Sequence, residues 1–582
     1  MARQSLHIWR FLAVLVAIDK AESVPSRVML DETIFENETI IASSQNITES
    51  GNGWLSNHNG QYKIYQIRPR SAEHMRILED FEKDGIVDFW RLPVSANSSA
   101  DVMVDGDSEH TKPFFDFLQK AQLDTRILVD DLAKFIEEKE TIQPPKFSDG
   151  TGKWQRDSPT FGPHNSNTFG LVMGEYHSYD DILAFMARVE GQLPRGIVQL
   201  RSIGRSSEGR DIRGIQFGRP RDTTRPVVWI DAGIHSREWT AIHTAVYFIY
   251  HIANEILLGK DSPLLKYLES IDVLILPCVN PDGYEYTKSD PRNPVVRFWR
   301  KSRSAERCDT DNSNQMRCCR GVDLNRNFDF RFAETGTSYF PCSEIFHGSG
   351  AFSEPETRAI RDAVLNSDLK DRIAAMVTMH AYSQLWIYPF SHRKHAYPPD
   401  INELKAVARK AVTAIGEKFG THYMYGTGPE IIYAYAGGSA DWAKQTANIK
   451  YTYTIELRPN YWSWNGFILE RSQLIPTARE TFDGVLVVLE SVYNNVNKLS
   501  GDGVPSKLVA NQSPPKPNPG PVAASSPTWL GPKASQAQSA EQTQECKDKV
   551  SYCRQWLSRH PTLCRESPTS MRRDCAKTCN TC

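Results

Sequence analysis

The chain has 582 residues, too many for one ordinary domain, so three or four units are expected. Its 40% hydrophobic and 24% charged residues describe soluble globular material rather than a fibrous or disordered chain. A formal net charge of -2 gives no reason to expect nucleic acid or an anionic membrane as partner.

Arg3 and Arg10 precede an apolar run at 11–18, followed by small or polar residues around Ala21 and Ser23. This is the layout of a cleaved secretory signal over 1–23. No other stretch reaches the ~18 apolar residues that cross a bilayer, so a secreted, extracellular protein without a membrane span is expected. Sequons at Asn37, Asn46, Asn97 and Asn511 are candidate glycosylation sites on that route. Residues 24–57 are polar and Asn/Ser-rich and read as disordered.

A small α/β unit is expected over 58–140, with strands at 62–67 and 87–92, helical spacing of Met75, Leu78 and Phe81, and a second helix at 127–135. Residues 141–169 are rich in Pro, Gly, Ser and Asn. They expose Lys146, Lys153 and Arg156 to a trypsin-like protease, so this stretch reads as an activation linker. From 170 to 498 strand-like runs alternate with helical patterns. That predicts a mixed central sheet with helices on both faces. Residues 499–545 form a Pro/Ser/Ala/Gln-rich linker, and 546–582 hold six of the eleven cysteines. Such a density points to disulfides in an oxidising compartment.

The chemistry starts at His235-Ser236-Arg237-Glu238, after the apolar run Val227 to Ile230. His380 follows a second strand-like run at 373–379, and Glu456 ends a third at 451–455. Ligand sites in open α/β sheets lie at the carboxyl ends of strands. Two histidines and a glutamate form a three-ligand set for a catalytic zinc, and a further glutamate can act as general base. His-x-x-Glu alone is common by chance. Here it is joined, in order, by Asn280-Pro281-Asp282-Gly283-Tyr284 (read as a turn), Phe298-Trp299-Arg300-Lys301, Asp323-Leu324-Asn325-Arg326-Asn327, His380-Ala381-Tyr382, Tyr433 to Asp441 and Thr454-Ile455-Glu456.

With these motifs, 170–498 closely resembles the metallocarboxypeptidases of the carboxypeptidase A/B type, and 58–140 resembles that family's inhibitory propeptide. The resemblance implies one zinc held by His235, Glu238 and His380, with Glu456 as general base and Arg300 at the carbonyl oxygen. It further implies a clamp of Asn325, Arg326 and Tyr433 on the substrate's terminal carboxylate, and Asp323 as partner of a zinc histidine. Substrates would be free C-termini of peptides or proteins, reached after cleavage by an activating protease. Ala440 matches the pocket floor, where B-type enzymes carry an acid, so an A-like preference for apolar or aromatic termini is expected. Ile387, Tyr435 and Thr454 are expected beside it. Tyr435 and Gly428 depart from the A-type pattern, and Ser391 adds a polar wall.

Arg237 and Arg297 are read either as more distant substrate contacts or as surface residues. His243 reads as a packed or capping histidine, and Trp462 and Trp464 as packing aromatics. Cys319–Cys342 matches a family disulfide, Cys308–Cys318 is expected to close an extra loop, and Cys278 is expected to be a free, inert thiol. Residues 546–582 resemble the ShK-toxin-like six-cysteine domain. Six cysteines allow 15 pairings; the resemblance implies Cys546–Cys582, Cys553–Cys575 and Cys564–Cys579. Thr569 and Ser570 stand where the channel-blocking toxins carry Lys-Tyr, so a binding module for an extracellular partner is expected rather than channel block. The rival reading is a catalytically silent secreted binding or matrix protein targeted through this module; it is disfavoured because no ligand, base or clamp position is lost.

Overall fold

Tyr62, Ile64 and Ile67 are the buried residues of β1 (Tyr62–Arg68), the first two on one face and the third on the other, so each face of this strand meets a core. With β2 (Asp88–Arg91), β3 (Ala100–Asp105) and β4 (Asp124–Val129) it forms an antiparallel sheet in the order β2-β3-β1-β4. The computed structural model describes residues 62–140 and 169–501, apart from 260, 312 and 313. The expected signal, the polar segment after it, almost all of both linkers, the six-cysteine segment and the sequons at Asn37, Asn46 and Asn511 lie outside the described residues.

On one face of this sheet Ile67, Val102 and Val104 pack with Leu78 of helix Ala72–Lys83 and Phe114 of helix Lys112–Lys120. Tyr62, Ile64 and Met103 on the other face join the core of the large unit. The helix expected at 127–135 is corrected. Residues 127–129 belong to β4, paired with β1, and the helix runs Leu132–Glu140. Asp131 sets its start by accepting the Lys134 N–H at 2.9 Å. Asn97 lies exposed in the β2–β3 connection.

The large unit holds an eight-stranded mixed sheet. Its strands are β5 (Val198–Arg205), β6 (Asp211–Phe217), β7 (Val227–Ala232), β8 (Asp272–Leu276), β11 (Ile373–Ser383), β12 (Leu385–Ile387), β13 (Met424–Gly426) and β14 (Tyr451–Asn460). The order is β13-β12-β14-β11-β7-β8-β6-β5. The central four, β14, β11, β7 and β8, are parallel. Their near-continuous burial is what a sheet covered on both faces demands. Helices Trp239–Leu258, Tyr179–Gln192, Ile401–Phe419 and Leu474–Gly501 contribute to one core, and Pro355–Asn366 and Ser439–Gln445 to the other. The expected fold class is therefore the observed one.

From β7 the chain crosses to β8 on one side, and later returns to β11 on the other. This switch of direction opens a crevice at the carboxyl ends of β7 and β11. Two local expectations change. Asn280 is not in a free turn: its side chain accepts the Gly283 N–H and starts helix Pro281–Ser289. β14 continues through Asn460, so Glu456 stands within a strand, paired in register with His380. A hairpin of β9 (Arg307–Thr310) and β10 (Met316–Cys319) is stapled by Cys308–Cys318, while Cys319–Cys342 ties it to the next loop. Cys278 is free and buried. Among the described residues, no helix is long and apolar enough to cross a membrane.

Candidate active site

His235 follows β7, Glu238 directly precedes helix Trp239–Leu258, and His380 lies near the end of β11. All three are buried. His235 Nδ1 is 2.7 Å from Glu238 Oε1 and 3.2 Å from His380 Nδ1, which is 3.0 Å from Glu238 Oε2. A tetrahedral ion with bonds of ~2.0–2.1 Å spaces its ligands by roughly 3.3 Å, so the donor set fits zinc with modest expansion. The chemistry of the set agrees. Burial favours the neutral form of Glu238, yet the two imidazoles outweigh it and hold the carboxyl well below its ordinary range. The start of a long helix further favours that negative charge. Burial and Arg300 pull His235 down, towards the neutral, ligating form. Burial likewise pulls at His380, but the charge of Glu238 prevails and raises it.

The outer nitrogens are held as well. His235 Nε2 lies 3.1 Å from Asp323 Oδ1, an arrangement that fixes the tautomer and leaves Nδ1 for a metal. His380 Nε2 lies 3.4 Å from Thr378 Oγ1, which donates to Asp231 Oδ1 at 2.9 Å. Asp323 also binds Arg300, taking Nε at 3.1 Å and Nη2 at 2.8 Å on one oxygen. Burial opposes the charge of Asp323, but Arg300, Arg326 and His235 hold its pKa far down. One aspartate therefore aligns a ligand and a cation together.

Asn325 and Arg326 sit in the short turn Leu324–Arg326. Asn325 Oδ1 accepts the Ser439 N–H at 3.0 Å, which leaves its amide hydrogens for a ligand. Arg326 donates from Nε to Gly336 O at 2.7 Å and from Nη1 to Asn325 O at 3.0 Å. These residues line one cavity with His235, Glu238, Arg300, Tyr433 and Glu456. Burial pushes the Glu456 carboxyl up to about 8, with His380 opposing it and Glu238 adding to it.

The small N-terminal unit closes this cavity. Glu82, Phe89, Trp90, Arg91 and Leu92 form its outer wall, leaving about 100 Å³, well below the ~300–1,000 Å³ of an ordinary ligand pocket. Arg237, expected either as a substrate contact or on the surface, is buried and binds Asp88 at 2.6 and 3.3 Å. Arg297 is fully buried, not on the surface: it grips both oxygens of Glu140 at 2.7 Å, donates to Arg237 O and lies 3.7 Å over the Trp239 ring. Trp90 packs against Phe298 and Phe467. The propeptide therefore occupies both arginines that sequence reading left open. Its acids Asp88 and Glu140 were not anticipated.

Of the expected pocket residues, Tyr435 and Thr454 line the cavity, whereas Ala440 and Ile387 do not reach its surface. His243 is packed as expected. Its Nε2 accepts the Gly174 N–H at 3.0 Å, and burial lowers it to about 3. Trp462 and Trp464 pack at the surface: they are 68% and 45% exposed, with Trp464 against Phe135 of the propeptide and Trp462 against Tyr461.

A mixed α/β sheet whose strand ends gather His, Glu and His beside a general-base candidate defines a metallohydrolase. The family model for zinc carboxypeptidases matches residues 182–484, and those for the carboxypeptidase activation peptide and the ShK-like domain match 65–139 and 545–582. The chain belongs to the zinc carboxypeptidase family and is a metallocarboxypeptidase with an activation propeptide. Carboxypeptidase A1 of Bos taurus is 36% identical over 425 residues, covering 73% of this chain and 91% of the relative. Carboxypeptidase B of Astacus astacus is 39% identical over 54% of this chain and 97% of its own. Among solved structures, carboxypeptidase A of Helicoverpa armigera superposes with a TM-score of 0.62 at 25% identity, covering 75% of this chain and 99% of that one. Thrombin activatable fibrinolysis inhibitor follows at 0.59 and 28%, with coverages of 75% and 100%.

Proposed function

We propose that this chain is a secreted zymogen whose activated form removes single residues from the free C-termini of peptides and proteins, using zinc held by His235, Glu238 and His380. When bound, the ion lowers the pKa of water towards ~7 and polarises a carbonyl. The chain's own residues supply the rest. Glu456 takes the proton of the attacking water and passes it to the leaving amine. Arg300, fixed by Asp323, places a cation at the developing oxyanion, a contribution of about 3 kcal/mol in comparable sites. Asn325, Arg326 and Tyr433 receive the terminal carboxylate, with the planar guanidinium offering paired hydrogen bonds. A buried cation beside the cleavage centre favours a chain end over an internal peptide bond.

The carrying observation is that His235, Glu238, Glu456 and the clamp donors line one cavity, with His380 Nδ1 3.0 Å from Glu238 Oε2. Ala440, an uncharged residue where B-type enzymes carry an acid, supports apolar termini over Lys and Arg, an A-like preference. The ShK-like segment serves as a module for an extracellular partner. To test the reading, the protease-activated protein is given one peptide with a free and with an amidated C-terminus. Release of the last residue from the free peptide alone, abolished by chelator, is expected; equal cleavage of the amide would overturn it.

A further inference from the structure

Tyr435 stands where the terminal side chain has to go. Its ring centroid is 4.9 Å from the guanidinium carbon of Arg326, and its side chain forms part of the cavity wall together with Ile432 and Thr454. If Arg326 holds the terminal carboxylate, the side chain on the same carbon leaves directly beside this ring. Ala440 is 7% exposed and does not line the cavity, whereas Tyr435 does.

The ring is seated there by what surrounds it. A Cβ on Gly428 would stand 3.0 Å from Tyr435 Cε1, and one on Gly438 3.0 Å from Cε2. Both contacts are tighter than side chains ordinarily tolerate. Two glycines therefore leave the room that the phenol fills. The Tyr435 N–H donates to Ser391 O at 2.9 Å. Ser391 in turn donates its own N–H to Asp441 Oδ2 at 2.7 Å. The backbone bond and the glycine seats hold the ring in one place.

We propose that Tyr435 is the specificity-determining residue of the terminal side-chain pocket, shortening it so that C-terminal residues of Ala, Val or Thr size are taken and Phe and Trp are rejected. This rests on the clamp reading above and sharpens the A-like preference from apolar to short. A rigid wall discriminates by steric conflict: one methylene too many in a filled pocket typically costs a factor of 10 or more.

The test uses the activated enzyme and peptides that differ only in their last residue: Ala, Val, Thr, Leu, Phe or Lys. Wild type is expected to show kcat/KM for Val at least about tenfold above Phe. Tyr435→Ala, checked for folding by its melting transition, is expected to raise Phe relative to Val by about tenfold or more. Tyr435→Phe, which keeps the ring, is expected to leave that ratio within about twofold. A wild-type preference for Phe, or a ratio unmoved by Tyr435→Ala, overturns the inference. If that variant does not fold, the wild-type series decides alone. Failure to release any of the six residues would instead overturn the carboxypeptidase reading on which this rests.

Discussion

The contact between Asp88 of the propeptide and Arg237 of the large unit is the place to perturb latency. Both side chains are nearly solvent-free, at 2% and 3% exposure, and meet at 2.6 Å. Removing one partner of a buried ion pair typically costs 3–5 kcal/mol, mostly because the other charge is left unpaired. Arg237 would retain the Phe467 ring at 4.2 Å and a long hydrogen bond to Phe298 O, so the lower end, about 3 kcal/mol, applies to Asp88→Ala. At 1.4 kcal/mol per decade this shifts the closed-to-open balance of the zymogen by about a hundredfold. The assay is hydrolysis of a short free-ended peptide by uncut protein whose integrity is verified by mass. Residual activity should rise by about a hundredfold, up to the rate of the cleaved enzyme, while the cleaved enzymes match. The exposed pair Lys63–Asp130, with 71% exposure on the aspartate, is the control; Lys63→Ala should change little. Uncut Asp88→Ala that remains as silent as wild type would refute the reasoning.

Burial raises Asp441 to about 7, against ~3.9 for a free aspartate. The folded state then keeps a proton that the unfolded chain releases, so this group's contribution to stability falls as pH rises from about 4 to about 7. Asp441→Asn mimics the protonated form and should gain melting temperature over wild type across that window, by up to about 4 kcal/mol in stability; a difference independent of pH would count against it. In Arg326→Lys the planar fork is lost, and kcat/KM for free C-termini should fall by about 30-fold or more; an unchanged value would remove Arg326 from the clamp.

The corners of the site were legible because each lies next to a strong local signal. Val227 to Ile230 marks β7 just before His235, and the run before His380 marks β11. What failed was long-range or volumetric. Nothing near Arg237 or Arg297 announces Asp88 or Glu140, which lie 149 and 157 residues away in sequence. The resemblance makes Ala440 the pocket floor, whereas the Tyr435 ring, admitted by Gly428, lines the cavity and Ala440 does not. The misplaced helix at 127–135 shows the ambiguity of a short apolar run: pairing with β1 made 124–129 a strand, and Asp131 set the helix start.

The central claim is that zinc in the His235–Glu238–His380 set and the carboxylate of Glu456 work together on the terminal peptide bond. The most direct test is to measure zinc content and turnover on the same preparations of activated wild type and Glu456→Gln. About one zinc per chain in both, with kcat lowered by ~10²–10⁴ in the variant, is predicted. Turnover of Glu456→Gln at the wild-type rate, or full activity of metal-stripped wild type, would contradict the account.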